Sequence, residues 1–357
     1  MIYLDNAATT KIDNMVYAEM FPYLKENYGN ASSLYSLGRT SRKAIDRARE
    51  QVAKAINAEP EQTFFTSGST EGNNWVMSNF KRVSCLPIEH HSILNNPNCY
   101  LQFNGNLKDL ANYIYNHSPD LVTHMMVNNE TGELYDIKSM IDICHKMEVP
   151  FHTDATQAFG HTPIDVKELD VDSLVLSGHK FHAPKGVGIL YLKEPDKYKP
   201  MLYGGSQERN MRAGTENVAG IAAIGKACEL YNYNVETDKY ILSLKKHLSD
   251  FIKNNIRNVM INSPCETTVS NILNVSFKNI EGESLMLMLD RKGICVSSGS
   301  ACNSESLEPS HVLKEMNVPN DYIYGTVRFS FSEFNTIDEI IETEQVLKET
   351  VEKLRGD

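Results

Sequence analysis

The chain has 357 residues, of which 41% are hydrophobic and 23% charged, and its formal net charge is −11 at pH 7. This length allows a large core divided between two domains. The acidic balance argues against nucleic acid as the main partner, because contacts to phosphates need a basic surface. We find no apolar run long enough to cross a bilayer and no signal-peptide pattern, so we expect a cytoplasmic location without membrane contact.

Strand and helix signals alternate through most of the chain. Asp13 is expected to cap a helix that ends near Lys25, and a second amphipathic helix covers about 37–56. The strands predicted next are 63–66, 82–86, 121–127, 150–153, 173–176 and 186–191, separated by helices that include 107–115, 137–147 and 218–230. This β-α-β rhythm predicts a largely parallel sheet with right-handed crossovers.

The rhythm changes near the end of the chain. A long helix over about 238–252 precedes predicted strands over 271–277, 294–297 and 326–331 and predicted helices over 283–289 and 337–354. This pattern indicates a smaller α+β domain. We therefore expect a large domain over 13–240 and a small domain formed by 1–12 and 241–357.

Polar residues follow several of the predicted parallel strands. Because ligands bind beyond the carboxyl ends of such strands, these residues should converge on one crevice. They are Ser67–Thr70, His90, Asn129, Asp154 and Ser177–Lys180. Lys180 suits a Schiff base with pyridoxal phosphate (PLP), provided that an acid such as Asp154 faces the pyridine nitrogen. Taken alone, each of them is more often an ordinary turn or loop residue.

Three further sites have both a functional and an ordinary interpretation. The turn Ser67–Gly72 opens a helix, where free N–H groups and the helix dipole favour a phosphate, but it also fits a plain capping turn. Among seven cysteines without a Cys-x-x-Cys pair, Cys302 is the one within a run of small polar residues. It is either a nucleophile or an incidental loop cysteine. Arg328 on a predicted strand suits a carboxylate ligand or a surface salt bridge.

In combination, these segments closely resemble the cysteine desulfurases, PLP enzymes of the class V aminotransferase group. The resemblance covers nearly the whole chain, and its segments occur in order with compatible spacing. They are Asp5–Thr10, Thr66–Glu71, Glu89–His91, Val127–Gly132, Asp154–Gln157, Ser177–Gly186, Arg212–Asn217, Ser297–Cys302 and Arg328–Ser330. The resemblance implies the PLP-dependent transferase fold type I, with a mostly parallel seven-stranded sheet in the large domain. It also implies a mobile loop over about 298–310 that carries Cys302, of the longer kind that hands sulfur directly to partner proteins.

The same resemblance implies a role for each cofactor-binding residue. Lys180 would form the Schiff base and move the substrate α-proton, and Asp154 would pair with the pyridine nitrogen. Gln157 would hydrogen-bond the ring hydroxyl, and His90 would stack on the ring and shuttle protons. The phosphate would be held by Ser69, Thr70, Ser177 and His179. Thr215 would reach the phosphate of a neighbouring subunit, which implies a homodimer.

The resemblance further implies that Asn129, beside the cofactor, and Arg328 bind the carboxylate of L-cysteine. Cys302 would take the sulfur as a persulfide, alanine would leave, and an acceptor protein would receive the sulfur. Because the chain ends at Gly356-Asp357 without an extended tail, the pathway stays open between iron–sulfur assembly, tRNA thiolation and DNA phosphorothioation. Selenocysteine lysis, transamination and a non-catalytic adaptor are the rival functions. A metal site from His152 with Asp154, or from His90 with His91, is not expected, because no third ligand is suitably spaced.

Overall fold

A computed structural model of the chain describes residues 1–103, 107–298 and 309–356. These residues divide into two compact units. The large unit comprises 10–126 and 135–233, and the small unit comprises 1–9, 127–134 and the chain from 234 onward. No helix within the described ranges is long and apolar enough to cross a membrane.

The strands and helices are numbered in chain order. The strands are β1 (Ile2–Tyr3), β2 (Thr63–Thr66), β3 (Val83–Cys85), β4 (Cys99–Gln102), β5 (Leu121–Thr123), β6 (Phe151–Asp154), β7 (Ser173–Ser177), β8 (Gly188–Leu192), β9 (Val259–Ile261), β10 (Ile272–Phe277), β11 (Ile294–Cys295) and β12 (Thr326–Ser330). The helices are α1 (Asn14–Lys25), α2 (Ser36–Ala55), α3 (Ser69–Met77), α4 (His91–Leu94), α5 (Leu107–His117), α6 (Ile137–Lys146), α7 (Val166–Leu169), α8 (Val218–Leu230), α9 (Val235–Asn255), α10 (Gly282–Asp290), α11 (His311–Glu315), α12 (Asn320–Ile323) and α13 (Ile337–Arg355).

The large unit is built on the seven-stranded sheet that the resemblance implies, in the order β2-β8-β7-β6-β5-β3-β4. Strand β8 is antiparallel to both of its neighbours, and the remaining pairs are parallel. The predicted α/β fold class is therefore confirmed. Strand β4, which the sequence did not predict, lies at the edge, and a disulfide joins its Cys99 to Cys85 on β3.

Helices of the large unit follow their predicted patterns closely. The Asp13 side chain caps α1 by accepting hydrogen bonds from the N–H groups of Met15 (2.7 Å) and Val16 (3.2 Å). The apolar stripe of α2, which includes Ile45 and Val52, is fully buried. This stripe packs on α8, a helix rich in small apolar residues. Helix packing thus agrees with the amphipathic periodicity of the sequence.

The small unit contains an antiparallel sheet in the order β12-β10-β9 and a parallel pair of β1 with β11. The segment 127–134 belongs to this unit, whereas our expected boundary placed it in the large domain. Its Thr131 carbonyl accepts a 2.6 Å hydrogen bond from Ser263 Oγ, and its Glu130 carbonyl accepts one of 3.1 Å from Asn274. The strand predicted over 121–127 therefore ends early, at Thr123.

A buried ion pair ties α2 to the sheet of the large unit. The Arg49 guanidinium donates to both carboxylate oxygens of Glu208, at 2.9 and 2.6 Å, and to the Thr63 carbonyl at 2.6 Å. Glu208 in turn accepts the Phe65 N–H at 3.0 Å. Both charged side chains are less than a tenth exposed. This clamp holds β2, and with it the turn that follows β2, against α2.

Replacing Arg49 by Met should lower the free energy of unfolding by about 3–5 kcal/mol, because the buried Glu208 carboxylate loses its partner. Urea denaturation of the purified proteins measures the change. Lys138→Met is the matched control, since it breaks an exposed ion pair with Asp142 and should cost at most about 1 kcal/mol. Equal losses in the two variants would contradict the role of the clamp.

Candidate active site

The strands of the large unit bring the predicted cofactor residues to one edge of its sheet. Thr66, the last residue of β2, and Ser177, the last residue of β7, both pair with Gly188 of β8. A Cβ atom at Gly188 would lie 2.6 Å from the Gly68 Cα, so this close approach requires glycine. Asp154, the last residue of β6, pairs with Val175 of β7. The turns after β2, β6 and β7 therefore start from the same edge.

Lys180 and His90 lie at this edge. Lys180 ends the 3₁₀ turn Gly178–Lys180 that directly follows β7. His90, half-buried, is the N-cap residue of α4. Burial lowers the pKa of His90, the charge of Lys180 lowers it further, and Asp154 opposes both effects. His90 thus experiences the charges of both the predicted Schiff-base lysine and the predicted pyridine partner.

The Asp154 carboxylate is buried, with the residue 6% exposed. One carboxylate oxygen accepts a 2.8 Å hydrogen bond from Asn73 Nδ2, and the other accepts a 3.0 Å bond from the Thr156 N–H. Gln157, also 6% exposed, lies in the turn after Asp154. A buried carboxylate that accepts hydrogen bonds from neutral donors is the group expected opposite a protonated ring nitrogen.

The predicted phosphate residues come from the first turn of α3, from the end of β7 and from the turn after β7. Gly68 is its N-cap residue, and no side chain caps the helix, so the first-turn N–H groups of Ser69 and Thr70 can face an anion. Ser177 lies alongside, since its Oγ is 3.7 Å from the position that a Gly68 Cβ would occupy. Burial, with the charges of Lys180 and Lys185, lowers the pKa of His179 to about 4. His179 is therefore neutral at pH 7, and it could act only as a neutral donor.

Thr215 lies on the wall of a neighbouring cleft of about 190 Å³. Ser67, Gly186 and Arg212 line the same cleft. Arg212 makes two hydrogen bonds to the Glu71 carboxylate, at 2.9 and 3.1 Å, which attach this loop to the first turn of α3. Thr215 itself is exposed.

Arg328 and Asn129 belong to the small unit. The Arg328 guanidinium, 4% exposed, donates to the Asn129 carbonyl at 2.6 Å and to the Asp5 carboxylate at 3.1 Å. Its Nε atom has no hydrogen-bond partner among the described residues. A buried guanidinium N–H without a partner is costly, and a carboxylate ligand would satisfy it.

Three residues around these groups were not found from the sequence. Asn73 contacts Asp154, and it shares a face of α3 with the buried Val76 and Met77. A polar residue on an apolar helix face was the signal for it.

Glu130 and Ser310 are the other two residues, and both belong to the small unit. Glu130 accepts a 2.5 Å hydrogen bond from Ser310 Oγ. Burial raises the pKa of Glu130 to about 7, against the opposing effects of Ser310 and Arg328.

Cys302 is the predicted sulfur-accepting cysteine, and His152 is a histidine considered for a metal site. Cys302, with most of the predicted loop over 298–310, lies outside the described residues. His152 does not point to a metal, because its ring nitrogens contact Ser173 Oγ and Asn73 Oδ1, each at 2.9 Å. Within the described ranges, no group of three His, Cys, Asp or Glu side chains could hold a metal ion.

The residues of the large unit fit PLP. The uncapped start of α3 suits its phosphate, the buried Asp154 carboxylate suits its ring nitrogen, and Lys180 provides an amine at the same sheet edge. His90 responds to the charges of both Asp154 and Lys180. These features come from separate turns that the sheet topology brings together.

The chain is similar to known proteins in both sequence and structure. The class-V aminotransferase family matches residues 2–342. Cysteine desulfurase IscS of Methanosarcina thermophila is 41% identical over 378 residues, covering 99% of this chain and 93% of that protein. A solved NifS-like protein from Rickettsia africae superposes with a TM-score of 0.89 at 32% identity, covering 100% of both chains. A structure described as SspA in complex with cysteine gives a TM-score of 0.80 at 27% identity, covering 94% of this chain and 100% of that one.

These matches extend over nearly all of this chain and nearly all of each relative. They confirm the predicted fold type I, cofactor and reaction. The chain therefore belongs to the class-V aminotransferase family, and within it to the PLP-dependent cysteine desulfurases.

Proposed function

We propose that this desulfurase moves the sulfur of L-cysteine onto Cys302 as a persulfide and then to an acceptor protein. The observation that carries the proposal is the placement of Lys180, Asp154 and His90 at one sheet edge, where both charges influence the pKa of His90. An iron–sulfur scaffold or a thiolation enzyme is the proposed acceptor. The sulfur must leave the cofactor site, and a nucleophile on a separate loop can carry it.

The large-unit residues have distinct proposed roles. When bound, PLP supplies the electron sink that makes the substrate Cα acidic. Lys180 would hold the cofactor through Nζ and move the α-proton. Asp154 would keep the ring nitrogen protonated, and Gln157 would hydrogen-bond the ring hydroxyl. Burial lowers the pKa of His90, which favours the neutral imidazole, and this ring would shuttle protons beside the cofactor.

The sulfur transfer balances without any added oxidant. The Cys302 thiolate would attack the substrate sulfur, forming an S–S bond as the Cβ–S bond breaks. The electron pair of the broken bond would stay with Cβ, which takes up a proton and leaves as part of alanine. Arg328 and Asn129 would hold the substrate carboxylate. The Nε atom of Arg328, for which the described residues offer no hydrogen-bond partner, supports this assignment.

We also propose that the protein is a homodimer in which Thr215 contacts the phosphate bound by the other subunit. Thr215 is exposed, as a residue that contacts another chain must be in the isolated subunit. Helix α1 leaves Met15, Phe21 and Leu24 exposed, which is the kind of apolar surface that subunit contacts cover. The remaining phosphate contacts would come from Ser69, Thr70, Ser177 and His179 of the same chain.

Replacing Cys302 by Ala should abolish sulfide release from L-cysteine plus a reductant while leaving the visible absorbance of bound PLP intact. The thiol would accept sulfur after the cofactor chemistry, so cofactor binding does not need it. Cys265→Ala is the control, because Cys265 is a free, partly exposed cysteine elsewhere in the chain. Undiminished sulfide production by Cys302→Ala would overturn the persulfide role. Pyruvate rather than alanine as product would favour a different PLP reaction.

Replacing Lys180 by Ala should remove both activity and the visible absorbance of lysine-bound PLP, because Nζ is the proposed attachment point. Lys185→Ala provides the control, since Lys185 is an exposed lysine in the same loop. Absorbance spectra of the two purified variants, recorded after addition of PLP, show whether each variant still forms lysine-bound PLP. A Lys180→Ala protein that keeps the wild-type spectrum would refute the Schiff-base assignment.

Replacing Arg328 by Lys should raise the KM for L-cysteine about 10–100-fold, because a charge-assisted hydrogen bond contributes roughly 1.5–3 kcal/mol. Lysine keeps the charge that faces Asp5, so the fold should be retained. Steady-state kinetics should be compared with binding of cysteamine, which lacks the carboxylate. If cysteamine binding weakens as much as L-cysteine binding, Arg328 does not act through the carboxylate.

A further inference from the structure

A chain of buried side chains connects β7, β6 and α3 in the large unit. His152, the second residue of β6, contacts Ser173 Oγ through Nδ1 and Asn73 Oδ1 through Nε2, both at 2.9 Å. The Nδ2 atom of Asn73 donates to the Asp154 carboxylate at 2.8 Å and to Ser92 Oγ at 2.9 Å. His152, Asn73 and Ser173 are completely buried. The chain ends at Asp154 on one branch and at Ser92 on the other.

Chemistry fixes the direction of each of these hydrogen bonds. A carboxylate can only accept, so the NH₂ group of Asn73 must face Asp154 and its Oδ1 must face His152. His152 Nε2 therefore carries the proton, and Ser173 donates to Nδ1. This arrangement needs a neutral imidazole, which agrees with a pKa for His152 that burial lowers to about 4. Asn73 consequently uses both of its N–H bonds and its carbonyl oxygen.

The second branch reaches His90. Its Nδ1 accepts the Ser92 N–H at 3.1 Å and lies 2.8 Å from Ser92 Oγ. Because the Ser92 oxygen already accepts from Asn73, its O–H is free to donate to His90 Nδ1. His90 Nδ1 is therefore unprotonated, and Nε2 carries the proton of the neutral ring. One amide thus orients the carboxylate and, through one hydroxyl, sets the tautomer of the imidazole.

We propose that Asn73 is a positioning residue of the PLP site, which holds Asp154 directly and His90 through Ser92. The inference rests on the proposed roles of Asp154 and His90. Asn73 fixes the carboxylate oxygens against Thr156 N–H and its own Nδ2, and it adds no charge to the site. No positive charge from Asn73 competes with the ring nitrogen for Asp154. His152 and Ser173 serve to hold Asn73 in the one amide orientation that permits this.

The experiment uses Asn73→Ala protein loaded with PLP that is ¹⁵N-labelled at the ring nitrogen. The ¹⁵N chemical shift reports protonation of that nitrogen, and a PLP titration of the apoprotein reports affinity. We expect a shift towards the unprotonated ring and an affinity about 10-fold or more below wild type, because a hydrogen bond to a charged group is lost. Asn79→Ala is the control, since the Asn79 amide bonds to backbone groups of Trp75 and Lys199 and does not touch Asp154. A merely structural role would change the melting temperature and leave the ¹⁵N shift at its wild-type value, and that result would overturn the proposal.

Two further variants make the result decisive. Asn73→Leu keeps roughly the size of the side chain, removes the donor to Asp154 and adds no charge, so it tests the proposal if Asn73→Ala does not fold. Its ¹⁵N chemical shift should move in the same direction as that of Asn73→Ala. A ¹⁵N chemical shift equal to the wild-type value would overturn the positioning role. Failure of both variants to fold would also overturn it, because the role of Asn73 would then be structural. Asp154→Asn supplies the reference signal for a lost pyridine partner. Neither readout needs turnover of L-cysteine, so an inactive desulfurase would count against the proposed function and not against Asn73.

Discussion

The site in the large unit depends on keeping a charged carboxylate buried at the end of a strand. Removing the Asp154 carboxylate from water is costly unless hydrogen bonds replace the lost hydration. The Asn73 amide and the Thr156 N–H supply those bonds. Both are neutral donors, so the charge is stabilised without being cancelled. Asp154 can therefore act electrostatically on whatever faces it, and the charge of Asp154 also counteracts the lowering of the His90 pKa.

The sheet provides the second requirement, which is a shared edge. Antiparallel β8 lies between β2 and β7, and its Gly188 pairs with the last residue of each. A side chain at Gly188 would collide with Gly68, so the glycine allows the turn after β2 and the turn after β7 to approach closely. The start of α3 and the Lys180 turn thereby arise from one local backbone arrangement. The Arg49–Glu208 clamp secures β2 in this arrangement from the other side.

Local patterns were sufficient to predict much of this unit. Polar residues at the ends of buried strands indicate the carboxyl edge of a parallel sheet. The sequence shows such residues at Asp154, His90 and Lys180. Asn73 could not be assigned from the sequence, because its partners come from strands and a helix far apart in the chain. The strand predicted over 121–127 was too long for a related reason. Its last residue, Val127, already belongs to the segment 127–134 of the small unit and pairs with Leu134 of that segment. Apolar character alone cannot show this change of partner.

The identity of residue 73 illustrates how the chemistry limits the choice of side chain. The position requires a donor towards Asp154 and Ser92 and an acceptor towards His152. A lysine would donate, but its positive charge would compete with the ring nitrogen for Asp154 and would leave the His152 N–H without an acceptor. A carboxylate would repel Asp154. A serine has a single hydrogen and could not supply both donors. An amide meets all three demands without net charge, and of the two amide side chains asparagine is the shorter, as a fully buried position beside a strand requires.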